Sequence, residues 1–327
     1  MTRIAVVGAG VMGCAAAWAL AARGAEVTIH EQFEPGHTHG SSHGRSRIVR
    51  YSYPDPAWVE LAREARVGWS ELEDETGTSL IELNGLVELA PSEAISSGPA
   101  LAAQGVDHRY LSVDEARELG VVAPADWKLL YEPTGGIVLA DRAVRALLDA
   151  AVARGALLQT SSRIDSPESL DADVVVVTAG GWVRELVADL PVRVTRETVV
   201  YFEHRGAPLP SVVQLDEVRT GHVVYALHDP LHGVKAGAHH RGIEAEPGDA
   251  GEPDAALVAK TVEWLRERLP GVDPAPVAVE TCLYTSTADE SFVLERRGRV
   301  VVGSACSGHG FKFAPAVGRR LADLALG

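Results

Sequence analysis

The sequence predicts an α/β chain of two domains: a parallel-sheet unit built from three separated pieces, and a mostly antiparallel domain inserted between them. Three observations carry this. Residues 4–13 read Ile-Ala-Val-Val-Gly-Ala-Gly-Val-Met-Gly, an apolar strand that runs into Gly8-x-Gly10-x-x-Gly13 and then an alanine-rich helix. Residues 173–182, Asp-Val-Val-Val-Val-Thr-Ala-Gly-Gly-Trp, are a second fully apolar strand of the parallel type, again ending in glycines. Residues 194–225 alternate apolar and polar as antiparallel strands do.

The first helix is expected from about residue 11 until Gly24 stops it, and a strand over 27–30 then delivers Glu31. That carboxylate lies about 20 residues past the glycines, where such folds hydrogen-bond an adenosine ribose. Gly8 permits the tight turn, Gly10 lets backbone amides approach a pyrophosphate at the helix N-terminus, and Gly13 lets helix and strand pack closely. The glycine pattern alone is common. Strand, helix, second strand and acid in register make it a dinucleotide signature of the Rossmann kind.

Residues 37–50 form a loop rich in Gly, Ser and His. Its three histidines, His37, His39 and His43, have no acid or cysteine among them, and Arg45, Arg47 and Arg50 would repel a cation, so no metal centre is expected. The arginines read as an anion site for phosphate or carboxylate, or as a solvated basic loop. Further on, a short helix over 112–120 has a capping box at Ser112 and Glu115 and a stop at Gly120, within a region of apolar strands that includes 83–89. Gly135 and Gly136 open a segment ending in a helix over 143–154 and a strand over 157–163. Residues 242–253 make an exposed loop rich in Gly, Pro and acids, and the last strand, 300–302, leads through Gly308-His309-Gly310 into a closing helix. The parallel-sheet domain is therefore assigned to 1–80, 132–192 and 296–327, and the inserted domain to 81–131 and 193–295. A ligand belongs in the crevice between them.

Composition narrows the function. With 327 residues, 46% of them hydrophobic, the chain can bury a sizeable core, and its net charge of −15 speaks against binding nucleic acid or anionic membranes. No apolar run approaches the roughly 20 residues that span a bilayer, and Arg3 followed at once by a core strand leaves no room for a signal peptide; a cytoplasmic protein is expected. Cys14, Cys282 and Cys306 have no metal-site or disulfide spacing. Of 30 basic residues only four are lysines. Lys128, in a loop-like stretch, and Lys260, on an amphipathic helix with Val258, Val262, Leu265 and Leu269, have solvated roles; Lys235 and Lys312 sit in apolar surroundings. A buried ammonium must be paired or deprotonated, and either state has chemical uses.

Six segments, in order, resemble the flavin-dependent amine and amino-acid oxidases of the D-amino acid oxidase superfamily, in the monomeric sarcosine oxidase and N-methyltryptophan oxidase branch. They are Gly-Ala-Gly-Val-Met-Gly at 8–13, Gly-Ser-Ser-His-Gly-Arg-Ser-Arg-Ile-Val-Arg at 40–50, Thr-Ala-Gly-Gly-Trp at 178–182, Val-Lys-Ala-Gly-Ala-His at 234–239, Cys-Leu-Tyr-Thr-Ser-Thr-Ala-Asp-Glu at 282–290, and Ser-Gly-His-Gly-Phe-Lys-Phe at 307–313. The resemblance implies FAD, with Gly8, Gly10, Gly13 and Glu31 at the adenosine end. Ser42, His43 and Arg47 would lie near the pyrophosphate and ring, with Gly180 and Trp182 alongside, and Gly308, Gly310 and Lys312 closing the other side. Cys282 matches the cysteine that carries the flavin as a thioether. Lys235 matches the lysine below flavin N5 that promotes reaction with O2, where a fixed cation stabilises developing superoxide; His43 and Arg47 would join it in catalysis.

Arg50 and Lys312 match the pair that grips a substrate carboxylate, with Tyr225, His239 and Tyr284 lining the pocket. The implied reaction takes a hydride from the carbon beside the nitrogen of a carboxylate-bearing secondary amine or amino acid, giving an imine and H2O2, in a monomer whose partners are a small-molecule substrate and O2. Departures are His228 and His232, where the family tends to have apolar or aromatic residues, and Ser291 for a usual histidine; they suggest a more polar pocket and a larger or more hydrophilic substrate. Cys306 falls where an aromatic is usual and, with Cys14, is expected to be inert. Two rivals remain at this stage: a dehydrogenase or desaturase of a cyclic imino acid, which would not need Lys235, and a non-catalytic flavin-binding module.

Overall fold

The computed structural model describes residues 1–92, 97–216, 222–249 and 251–327. Residues 217–221, at the end of the alternating stretch 194–225, lie outside the described residues. A six-stranded sheet runs in the order Val293–Arg297, Val300–Ser304, Val174–Val177, Arg3–Val7, Glu26–His30, Leu157–Gln159, parallel except for its first pair. Its centre is covered on both faces, which is why 174–177 can be four valines with no polar alternation. Helices Val11–Ala22 and Ala314–Leu326 pack against each other over it, and a β-carbon on Gly318 would stand 2.5 Å from the Ala15 carbonyl. Small residues on both helices thus let the two ends of the chain share one core.

The second sheet has nine strands and is antiparallel except where Ser211–Asp216 pairs with Leu86–Pro91. At its heart, Arg193–Glu203 lies between Gly233–Ala238 and the long strand Pro276–Ser286, and His222–Asp229 follows Gly233–Ala238. Side chains alternate between faces, so register decides their fate. Val200, Phe202, Val224, Ala226, Val234 and Ala236 point to one side and bury against Trp264 and Leu265 of helix Ala255–Arg268 and Leu269 at its C-terminal end. Their sequence neighbours Tyr201, Tyr225, Lys235, Cys282 and Tyr284 point to the other. The mostly antiparallel expectation therefore holds.

A small third sheet, Ser46–Val49, Gly136–Leu139 and Ile81–Glu82, ties the end of the Gly/Ser/His loop to the Gly135-Gly136 segment; nothing in the sequence announced it. Helix Pro56–Thr76 also went unread, although its ends are marked: Asp55 accepts the Ala57 amide, Pro56 opens the first turn, and Gly77 stops it at φ +65°. The capping box at Ser112 forms as expected. Elsewhere boundaries moved. The helix expected from 143 begins at Ala140, the strand expected to 163 ends at Gln159, and Lys128 is an exposed residue of strand Trp127–Glu132 rather than of a loop. The assigned domain limit at 295/296 falls inside strand Val293–Arg297, which pairs into the six-stranded sheet. No helix among the described residues is long and apolar enough to cross a membrane.

Candidate active site

The glycine turn is built by close approach. Gly8 has φ +101°, and a β-carbon there would lie 2.7 Å from the Thr178 carbonyl at the end of the next strand. A β-carbon on Gly13 would meet the Gly8 carbonyl at 1.8 Å, so this residue serves helix and strand packing and, alone among the expected site residues, does not line the cavity. Glu31 is 4% exposed; it accepts the Ala9 amide at 2.8 Å and the Phe33 amide at 2.9 Å, which turns its carboxylate toward the glycines. At the helix N-terminus the Val11 amide donates to the Ser42 hydroxyl at 3.0 Å. His37 and His39 stack on each other and on Phe33, which meets Trp182 edge-on at 5.6 Å.

From this turn a cavity of about 870 Å³ runs past Ser42, Arg47, Gly180 and Trp182 to Lys235, Cys282, Tyr284 and Lys312. That is near the upper end for small-molecule sites, as a long ligand requires. Along it, Ser41 Oγ, His43 Nε2 and Ser46 Oγ are buried with no partner in the protein. Three unsatisfied polar atoms on one wall call for a polar ligand against it. Close glycines shape the far end: a β-carbon on Gly308 would stand 2.4 Å from His239 and 2.5 Å from Tyr284, and one on Gly310 1.7 Å from the Ala305 carbonyl.

One wall is the polar face of the second sheet. Lys235 is 5% exposed and, among the described residues, donates to the Ser46 carbonyl alone, at 3.3 Å. Burial, with Arg47 adding repulsion, pushes its amine down to about 7. Arg47 is itself pinned by the carbonyls of Ser41, His43 and Ser46 and lies 5.6 Å from the Phe311 ring. His43 is held neutral, its value lowered to about 4 by burial and by Arg47 and Lys235. Half-buried Cys282 has its thiol pushed up by desolvation, against the pull of Arg47 and Lys235. Cys14 sits in the core with its thiol pushed up to about 12, an inert setting.

At the other end, Tyr53 stands between two cations. Arg50 lies over its ring at 4.4 Å, and Lys312 donates to its hydroxyl at 2.9 Å and to the His309 carbonyl at 2.6 Å. Burial, then Arg50, hold the Lys312 amine well below its usual value. His309 Nε2 faces the Glu290 carbonyl at 3.0 Å, and a carbonyl only accepts, so Nε2 carries the proton and Nδ1 accepts from the Tyr53 hydroxyl at 3.3 Å. The ring is kept neutral by burial and by Lys312, its value lowered to about 3. Glu132, buried, takes the amides of Tyr51 and Ser52 and so fixes the segment between Arg50 and Tyr53. The indole of Trp69, on helix Pro56–Thr76, donates to the Lys312 carbonyl at 2.8 Å. His239 Nδ1 lies 3.3 Å from the Tyr284 hydroxyl, and Tyr225 lines the same end.

Sequence reasoning missed Tyr53, His309 and Glu132, which act through contacts across more than 80 residues. Three expected departures prove to lie elsewhere. His228 is one residue out of phase with Tyr225 and Leu227, so it points off the site face and meets the Gly233 carbonyl at 3.1 Å. His232 is in the following turn, beside Tyr201, and Ser291 caps a tight loop through Asp289. None of the three lines the cavity, so none makes the pocket more polar.

Known proteins are similar to this chain over nearly its whole length. The peroxisomal sarcosine oxidase of Mus musculus is 31% identical over 98% of this chain and 91% of its own length. The monomeric sarcosine oxidase of Bacillus sp. (strain B-0618) is also 31% identical, over 99% and 92%. Among solved structures the open form of NikD, titled an unusual amino acid oxidase essential for nikkomycin biosynthesis, superposes with a TM-score of 0.86 at 24% identity, covering 99% of this chain and 94% of that one, which shows the shared fold. Residues 3–324, nearly the whole chain, match the family described as FAD dependent oxidoreductase, and to that family the chain belongs.

Proposed function

We propose that the enzyme oxidises a secondary amine or amino acid bearing a carboxylate, in the way the names of its sarcosine oxidase relatives indicate, and that O2 takes the electrons and becomes H2O2. The observation that carries the reading is the convergence of Arg50 and Lys312 on Tyr53 at the end of a cavity whose other wall holds Lys235 and Cys282. In a chain of net charge −15, buried Lys312 and partly buried Arg50, neither in an ion pair among the described residues, are a site for a carboxylate. An arriving carboxylate would restore the charge that Lys312 loses to burial, while Tyr225, His239 and Tyr284 hold the rest of the substrate against one face of the cofactor.

Bound FAD supplies the hydride acceptor; the protein supplies orientation and charge. The unsatisfied Ser41, His43 and Ser46 atoms, with the amides of the glycine turn, fit its polar middle, and Glu31, Ser42, Arg47, Gly180, Trp182, Gly308 and Gly310 would complete the cradle. Cys282 is proposed as a covalent thioether anchor: Arg47 and Lys235 oppose the burial that keeps its proton on. Lys235 is proposed to face O2, where an amine titrating at about 7 can serve as the ammonium that stabilises superoxide. The reading also takes the protein as a cytoplasmic monomer, with a flavin domain of 1–80, 132–192 and 293–327 and a substrate domain from the remainder.

Anaerobic mixing with N-methyl, cyclic and primary amino acids, followed by flavin absorbance, tests it. Bleaching by an amino acid but not by the matching amine without its carboxylate is expected. Equal bleaching by both would replace the reading with a plain amine oxidase.

A further inference from the structure

Glu280 stands two residues before Cys282 on strand Pro276–Ser286, so the alternation that aims the cysteine at the cavity aims this carboxylate there too. Its neighbours fix it. The Tyr201 hydroxyl donates to Glu280 at 2.6 Å, and Tyr201 is the cross-strand partner of Lys235, which puts all three on one sheet face. Arg45 lies 4.6 Å over the Tyr201 ring and 3.9 Å from the second Glu280 oxygen, but its charge is matched by fully buried Asp229, which it meets at 2.9 and 3.1 Å. Asp229 also accepts the amides of Leu231 and His232.

The other groups facing Lys235 do not neutralise it. Arg47 repels it; His43 is neutral and Cys282 keeps its proton. Asp141, at the start of helix Ala140–Ala153, is exposed and screened by water. Two carboxylates raise the amine's value: Asp229, the larger influence, is spent on Arg45 and two backbone amides and does not line the cavity, whereas Glu280 does.

We propose that Glu280 is the positioning residue of Lys235: held by Tyr201, it keeps that amine an ammonium beside the cofactor site. The purpose of that ammonium rests on the oxidase reading; the test does not.

The chain has four lysines, so carbon-13 labelling at the lysine ε position gives the holoenzyme four resonances to follow against pH. Lys235 should titrate at about 7 in the wild type. Glu280→Gln should lower that midpoint, as loss of an opposite charge does. Glu280→Asp should recover part of the shift, and Tyr201→Phe, which frees the carboxylate without removing it, should cause a smaller fall. An unmoved Lys312 resonance would show the fold intact. An unchanged Lys235 midpoint in folded Glu280→Gln overturns the proposal, and if that variant does not fold, an unchanged midpoint in Tyr201→Phe does so. Should the midpoint fall while the reduced enzyme still reacts with O2 at the wild-type rate over the whole pH range, Glu280 keeps its role and the oxidase reading fails.

Discussion

Lys312→Met removes one cation from the end of the cavity, together with its hydrogen bonds to the Tyr53 hydroxyl and the His309 carbonyl. Methionine nearly preserves the volume, so packing against Tyr53 and Phe313, whose rings lie 5.6 and 5.0 Å from the amine, should survive. Lys312 is 6% exposed, so a substrate carboxylate bound there would be largely desolvated. Truncating one partner of such a pair costs about 2–5 kcal/mol. Arg50 remains as the second cation on Tyr53, which places the loss in the lower half, about 2–3 kcal/mol, or roughly 30- to 150-fold in dissociation constant. For the fold, the lost hydrogen bonds to Tyr53 and His309 are offset by relief of the amine's burial, which holds it well below its usual value. The assay is an equilibrium titration of the oxidised enzyme with acetate or a thioether acid, read from the perturbed flavin spectrum, beside anaerobic reduction by substrate. An unchanged dissociation constant for the carboxylate in a folded Lys312→Met variant would refute the reasoning.

Three further outcomes are expected. Wild-type protein on a denaturing gel should show a fluorescent flavin band that Cys282→Ala abolishes; colour released entirely by acid precipitation would exclude the thioether. Lys235→Met should slow reoxidation by O2 by a factor corresponding to about 3–4 kcal/mol, with reduction by substrate much less affected. The same variant has a pH signature. The folded value of about 7 lies below the ordinary lysine value, so the wild type bears the full cost of this residue below pH 7 and sheds it as pH rises toward 10. Wild-type stability should therefore gain on that of Lys235→Met across this window, by at most about 4 kcal/mol, in urea unfolding; parallel curves would contradict the burial of that amine.

The legible parts of this molecule were those encoded locally. Gly8, Gly13 and Glu31 announce the turn because steric demand fixes both residue type and spacing. Lys235 and Lys312 could be called buried because their immediate neighbours are apolar and lysine is scarce in the chain. What escaped depends on pairing between distant segments. Tyr53 gains its place from Lys312, 259 residues away, and the Ser46–Val49 strand from Gly136–Leu139. His228 was misjudged for a subtler reason: its type stood out, but its phase on the strand, fixed by pairing with Val234, decides which way it points. Helix Pro56–Thr76 is the exception, since Asp55, Pro56 and Gly77 were available to be read.

The two-faced strands set rules for altering this enzyme. Deleting one residue within Gly233–Ala238 would swing Lys235 into the packed interior and deliver a valine or alanine to the cavity, so activity and folding should be lost together. Substitutions at every second position leave the interior untouched. Tyr225 and Tyr284 can be varied as one combinatorial set on a scaffold whose cohesion resides in the intervening residues. A laboratory lineage could move from one amine to another along that surface alone, and lineages that accept insertions should acquire them in the turns rather than the strands.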